Sequence, residues 1–332
     1  MSTTSPDRIL RELARVWTTL AEEGGVRGEG VLRSCTMTLL VLADETDDPS
    51  PIWETLAALM PQHPSRAILV RFRAGGTGDT QARVFAQCWL PTGRGRRICC
   101  EQIEITASDA GLPDLPALVL PLAAPDLPVL LWCRSPRIFQ APELRLLAEG
   151  ARKIIVDTAA LGSAPGSLQA LLERRNELPV ADLAWTRLTR WRALVSQAFD
   201  DPGNRERLSA ASEVRVSYTG DAPPPEAFYM AAWLLDGVRR AGGDAHHTFE
   251  AAAGVPPGVR SVALRGDGLD VAVGLSTRGC ADVRAGDAAQ RTAIARLPEH
   301  ALLAEEVRIP GRDPVFDRIL PSAARLGVSS AS

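Results

Sequence analysis

Three groups of residues in this chain carry side chains suited to chemistry. The first is the run Cys99-Cys100-Glu101-Gln102-Ile103, with Cys88 upstream. On a strand, Cys99 and Glu101 point to one face while Cys100 and Gln102 point to the other. A hairpin centred between Gly93 and Arg94 sets Cys88 opposite Cys99, where cross-strand Cβ atoms approach to about 5 Å. A slip of one residue would favour Cys100 instead. Cys88, Cys99 and Cys100 are therefore candidates for a redox contact, against the simpler reading of small buried hydrophobes. The second group is charge at strand ends. Asp44, Arg66 and Asp157 are expected on the rim where open α/β sheets bind ligands, and they would suit a sugar phosphate or a nucleotide. The plainer alternative is structural ion pairing.

The third group is the segment Asp182-Leu-Ala-Trp-Thr-Arg-Leu-Thr-Arg-Trp-Arg192, in a chain with 7 Trp and 2 Tyr. At about 100° per residue, Ala184, Leu188, Trp191, Val195 and Phe199 form one face, the expected core face of a helix over 182–199. Trp185 falls off that face, on the flank of Arg192, and Arg187 and Arg190 occupy the opposite flank. Tryptophan and arginine are enriched at binding hot spots. Trp185, Arg187, Arg190 and Arg192 are the leading candidates for partner contact, with Trp132 and Arg134 second. The alternative for Trp185 is packing inside the chain.

Other chemistries lack their residues. Gly75-Gly76-Thr77-Gly78 leads into a strand and Gly93-Arg94-Gly95 belongs to a hairpin, so neither opens a phosphate-binding helix. There is no G-x-x-x-x-G-K-[ST] and no G-x-S-x-G. His246 and His247 are neighbours on an expected strand and point to opposite faces, which does not suit a shared metal. The 6 cysteines show no C-x-x-C spacing. A net charge of −3 makes no electrostatic case for nucleic acid. The apolar stretch Leu115 to Trp132 is interrupted by Pro116, Pro121, Pro125 and Pro128, so no membrane span is expected there. With no secretory signal pattern at Met1 to Arg8, a cytoplasmic location is expected.

The elements that must position these residues read as α/β throughout. A chain of 332 residues with 45% hydrophobic and 23% charged residues suggests two domains. Residues 1–30 are expected as an N-terminal helical segment. Residues 31–180 are expected as an α/β domain with a mixed sheet of roughly six strands flanked by helices. Residues 181–325 should form a second, smaller α/β domain that begins with the Trp/Arg helix and ends in two helices. Residues 326–332 are expected as a tail. Met37 to Ala43, Ala67 to Phe72, Val129 to Trp132 and Lys153 to Val156 are short continuous apolar runs, the pattern of buried strands. Gly266-Asp267-Gly268 marks a hairpin in the second domain.

Five blocks in order carry a resemblance. They are His63-Pro64-Ser65-Arg66, the Cys99–Ile103 run, Asp126-Leu127-Pro128-Val129-Leu130-Leu131-Trp132, Val156-Asp157, and the Trp/Arg segment. Together they resemble the OpcA family, the glucose-6-phosphate dehydrogenase assembly proteins of bacteria. The likeness covers about residues 30–200 well and extends more weakly to Leu303-Ala304-Glu305-Glu306 and Asp313-Pro314-Val315-Phe316. It implies a non-catalytic partner that promotes assembly or activity of glucose-6-phosphate dehydrogenase in the oxidative pentose phosphate pathway, with no catalytic residue, cofactor or metal to carry over. Some members are regarded as redox-responsive effectors. This chain departs from the pattern at Cys133, where a second Trp often stands, and at Arg190, where Pro is frequent. Its C-terminal half holds only Cys280, so no disulfide can form within that half. The competing expectation is a ligand-binding regulator or enzyme that uses Asp44, Arg66 and Asp157.

Overall fold

The computed structural model describes residues 4–26, 30–75, 80–91, 96–176, 179–254, 257–276, 279–309 and 311–330. Two compact units emerge, each assembled from separate stretches of chain. The first takes Met1–Val156, Glu177–Ala181 and Glu299–Gly311; the second takes Asp157–Asn176, Asp182–Pro298 and Arg312–Ser332. No helix among the described residues is long and apolar enough to cross a membrane.

The first unit is built on eight strands: β1 (Gly30–Arg33), β2 (Met37–Asp44), β3 (Ser65–Arg73), β4 (Gln81–Trp89), β5 (Arg96–Ser108), β6 (Val129–Cys133), β7 (Lys153–Val156) and β8 (Val180–Asp182). Their order is β1-β5-β3-β2-β6-β7-β8, with β4 antiparallel along the other edge of β5. Strands β5, β3, β2, β6 and β7 run parallel. A parallel sheet covered on both faces needs uninterrupted apolar strands. Met37 to Ala43 is buried at every position, as is Ala67 to Val70. The helix Pro49–Leu59 carries the chain from β2 to β3 and buries Ile52, Leu56 and Leu59, the i, i+4, i+7 stripe of an amphipathic helix. Counted from β2, the strand order is 3-2-1-4-5-6, that of doubly wound dinucleotide-binding folds, whose ligand crevice opens at the carboxyl ends of the strands where the order reverses.

Two segments outside the expected boundaries belong to this unit. The helix Pro6–Val26 buries Ile9 and Leu13 in it, and Trp17 donates its indole N–H to Glu101 at 2.6 Å. The helix Glu299–Arg308 is tied to β7 by the only lysine in the chain. The Lys153 ammonium donates to Glu306 Oε2 at 2.5 Å and to the carbonyls of Glu306 and Ile309. Lys153 is 2% exposed. A buried ammonium is tolerated only when paired and hydrogen-bonded, so this contact specifies where the late helix docks. The sheet also exceeds the roughly six strands read from hydropathy, because β1 has no buried residue to mark it and β8 is only 3 residues long.

The second unit has a six-stranded sheet in the order β10-β9-β11-β12-β13-β14. Its strands are β9 (Ala211–Thr219), β10 (His246–Ala251), β11 (Gly258–Gly266), β12 (Leu269–Leu275), β13 (Cys280–Ala285) and β14 (Ala288–Ala293). Among the described residues of this unit only β9 and β10 pair in parallel, joined through the helix Pro225–Arg240. That helix packs on β9 and β11, and Val214, Val216, Val262 and Leu264 are all buried. The helices Ala164–Arg174 and Pro314–Ser330 pack with it. Gly268 completes the two-residue turn between β11 and β12 at φ +65°, a conformation that suits glycine. Strand β14 has no buried residue, which is why no strand pattern marks it. The expected 182–199 helix is two helices, Leu183–Thr186 and Thr189–Gln197, and the expected tail continues the helix Pro314–Ser330. The central residues of the Gly75–Gly78 loop and of the Gly93–Arg94 hairpin lie outside the described residues.

Candidate functional site

The Trp/Arg segment starts on Asp182, whose carboxylate accepts the backbone N–H of Ala184 at 3.0 Å and caps the first short helix. Oδ1 of Asp182 also accepts from Thr158 N at 3.1 Å. Oδ2 accepts the hydroxyls of Thr158 at 2.5 Å and Tyr229 at 2.7 Å. Four donors compensate a fully buried carboxylate. Burial, with Asp157 nearby, still pushes the Asp182 pKa up to about 6.

Trp185 is interior, contrary to a partner-contact role. It is 3% exposed, donates Nε1–H to Asp313 at 3.0 Å and meets Tyr229 edge-on at 5.7 Å and Phe316 at 5.9 Å. The Arg192 guanidinium lies 3.6 Å from its ring centroid and donates to the Trp185 carbonyl at 2.8 Å. Trp185 lies off the Leu188–Trp191 face because it belongs to a separate turn of helix, whose apolar contacts come from the helices Pro225–Arg240 and Pro314–Ser330. Arg187 is committed as well. It forks onto both carboxylate oxygens of Asp157, one of them at 2.7 Å, and reaches Glu226 at 3.3 Å. Burial raises the Glu226 pKa to about 7, against the opposing pull of Arg187, and its Oε2 has no hydrogen-bond partner among the described residues. Arg190 is exposed. Trp132 is 0% exposed in β6, so it too is core, and Arg134 lies 5.0 Å over its ring while pairing with Glu299 at 2.6 Å.

The strand-end charges do not form one site. Asp44 ends β2, but Arg66 pairs in register with Thr38, six residues back and roughly 20 Å away at about 3.3 Å per residue. Arg66 is at the opposite, amino-terminal end of the strands, where its buried guanidinium donates to Glu101 at 2.6 Å and to the Leu122 carbonyl at 2.7 Å. Glu101 also takes Arg33 at 2.5 Å, making it a buried hub that hydropathy does not reveal. Asp157 is held by Arg187. Asp44 accepts from Ser135 and from Arg137 Nε, each at 3.1 Å. Arg137 also pairs with Asp109 and lies over Phe72 at 5.7 Å.

Asp44, Phe72 and Arg137 line the crevice at the strand-order reversal. In a dinucleotide-binding fold the loop here is glycine-rich and turns its backbone N–H groups onto phosphate. This loop reads Asp44-Glu45-Thr46-Asp47-Asp48-Pro49-Ser50, with four carboxylates and no glycine. Asp48 already accepts the Ser50 N–H at 2.9 Å, which lowers its pKa, and Pro49 removes another donor. Arg71 donates to the carbonyls of Glu45 and Asp47 at 2.7 and 3.1 Å, tying the loop down. A pyrophosphate would meet like charge where it needs donors.

Cys88 and Cys99 stand opposite each other across β4 and β5 and form a disulfide. They are bonded to each other and are not two free apolar thiols, because the non-slipped register brings their Cα atoms to 4.1 Å. Cys100 faces away, with its thiol on the Ser34 carbonyl at 3.4 Å and its pKa pushed up to about 11 by burial.

Residues 57–176 match the family model described as the glucose-6-phosphate dehydrogenase subunit N-terminal domain, and residues 178–320 match the C-terminal domain of the same subunit. A protein of Synechocystis sp. named OpcA, and assigned by that name to the OxPP cycle, is 30% identical over 172 residues. The match takes in 51% of this chain and 35% of that protein. Its counterpart in Nostoc punctiforme is 27% identical over 175 residues, 52% of this chain and 37% of the relative. The matched stretch thus spans little more than a third of these curated relatives. Among solved structures, an oxidoreductase from Sinorhizobium meliloti superposes with a TM-score of 0.50 at 11% identity, covering 89% of this chain and 95% of that one. Levoglucosan dehydrogenase with NADH gives a TM-score of 0.49 at 11% identity, with 89% and 95% covered. At such identity the first likeness speaks for the fold alone. The two adjoining family matches, spanning most of the sequence, place this chain in the OpcA family of glucose-6-phosphate dehydrogenase subunits.

Proposed function

We propose that the chain is a non-catalytic partner that promotes assembly or activity of glucose-6-phosphate dehydrogenase in the oxidative pentose phosphate pathway. The observation that carries this reading is the acidic Asp44–Ser50 loop at the crevice of a dinucleotide-type sheet. The strand order is of the dinucleotide-binding type, but the loop at its crevice presents carboxylates where a phosphate would need donors, which supports protein contact over cofactor chemistry. Such a partner acts by population shift: it must bind the active or assembled dehydrogenase more tightly than the inactive form, since equal affinity shifts nothing. Of the arginines flanking Trp185, Arg190 keeps an exposed side chain for such contact. The alternative of a sugar-phosphate site at Asp44, Arg66 and Asp157 loses its support, because each is matched by its own counter-ion.

The test mixes the purified chain with the dehydrogenase and follows co-elution and the rate of NADP reduction by glucose 6-phosphate. Co-elution with a rise in rate or in oligomer fraction is expected. No complex, or NADP-dependent turnover by the chain alone, overturns the reading.

A further inference from the structure

The second unit carries an apolar groove. Val195, Leu234 and Leu264 floor a groove of about 240 Å³, and Phe199, Leu208 and Trp233 line it half-exposed. That volume is below the roughly 300–1,000 Å³ of small-molecule sites, so the groove has room for one large side chain and not for a cofactor. Gly237, one turn beyond Trp233 in the helix Pro225–Arg240, borders it, and a Cβ added there would meet nothing within 4 Å. Phe199 ends the face that periodicity assigns to the core, yet it is only half-covered here. At the rim, Asp236 pairs with Arg318 at 3.1 Å, while exposed Arg240 has no ion pair among the described residues. Two arginines against one aspartate leave the rim positive.

We infer that this groove receives a single large apolar side chain, flanked by a carboxylate, from the surface of the dehydrogenase. The inference rests on the functional reading above. Trp, Phe and Arg around a pocket of side-chain size form the composition of a binding hot spot, where one anchor fills a desolvated cavity. The unpaired Arg240 selects an acidic neighbour for that anchor, because charge complementarity at a rim steers encounter and sets register. Glycine in a helix interior weakens the helix, and here a side chain in its place would enter open space at the border of the groove.

The experiment measures the dissociation constant for purified dehydrogenase, the thermal melt, and the oligomeric state of the chain alone. Gly237→Leu fills the groove from its border and improves helix propensity, so its melt should equal or exceed that of the wild type. Its affinity should fall by about tenfold or more, as for loss of a hot-spot anchor. Arg240→Glu should weaken binding by roughly three- to tenfold at low salt, with the deficit shrinking as salt is added. If Gly237→Leu melts early, Arg240→Glu decides: reduced affinity supports the groove and unchanged affinity overturns it. Wild-type affinity in both variants also overturns it. A wild-type chain with no affinity for the dehydrogenase overturns the functional reading together with this occupant. A self-associating wild type made monomeric by Gly237→Leu, with dehydrogenase binding intact, gives the groove to a second copy and overturns the proposal.

Discussion

Two tryptophans of the second unit meet their surroundings in opposite ways. Trp185 is enclosed: its N–H reaches Asp313, two aromatic rings pack on it, and Arg192 covers its outer face. Trp233 is half-exposed on a groove whose Gly237 leaves room and whose Arg240 has no ion pair among the described residues. Both have the composition of a hot spot, but only Trp233 has contacts left to make. Trp and Arg in sequence therefore mark a site only when the fold leaves them unsatisfied.

The comparison breaks most visibly by truncation. Trp185→Ala should cost about 3–5 kcal/mol in chemical denaturation, the range for deleting a buried aromatic. Trp233→Ala should cost far less and show its effect in binding to the dehydrogenase. Equal losses for the two would erase the distinction.

Next in size is the disulfide. Cys88→Ser should lower stability by up to about 3 kcal/mol, the value for closing a short loop. Reductant should shift the melt of the wild type and leave that of the variant unmoved. Insensitivity of both would mean that the bond contributes nothing measurable.

The cluster beneath Trp185 supplies a pH test. Glu226 and Asp182 have folded pKa values raised to about 7 and about 6, so the folded state holds their protons at pH values where the unfolded chain has lost them. Their contribution is fully present below the unfolded carboxylate range and is lost as pH rises through 6 and 7. His63 and His247, lowered by burial, act in the opposite sense, so the informative quantity is a difference. Relative to the wild type, Glu226→Gln should flatten the fall in melting temperature between pH 5 and pH 8. Parallel profiles would show that Glu226 does not titrate in that window.

The smallest effect expected is at the exposed arginine. Arg190→Ala should change stability by no more than about 0.5 kcal/mol, as for a surface side chain away from any network. A larger loss would mean that Arg190, like Arg187, is committed to the fold.

Much of this architecture is legible in the chain itself. Continuous apolar runs locate β2, β3, β6 and β7, because strands buried on both faces cannot alternate. The hairpin count brings Cys88 opposite Cys99, since residue pairing in a hairpin follows from loop length. The five ordered blocks point to the family that the two domain matches then establish. Period alone also places Trp185 on the flank of Arg192, seven residues apart and two turns along a helix. Pro225 to Ala241 reads as a helix, and the hint of the groove within it is Gly237, a poor helix former.

Only the tertiary structure decided what faces what. Whether Trp185 is interior depends on helices more than forty residues away in sequence, and no local pattern encodes that. Arg66 and Asp44 both sit at strand ends, but in parallel strands the amino ends and the carboxyl ends lie at opposite ends of the sheet. The late helix Glu299–Arg308 joins the first unit because a buried lysine needs its carboxylate. Hydropathy and spacing determine which elements form, since those are properties of neighbours in sequence. Which charges are already matched, and which apolar surface remains open, depends on contacts between residues that only folding brings together.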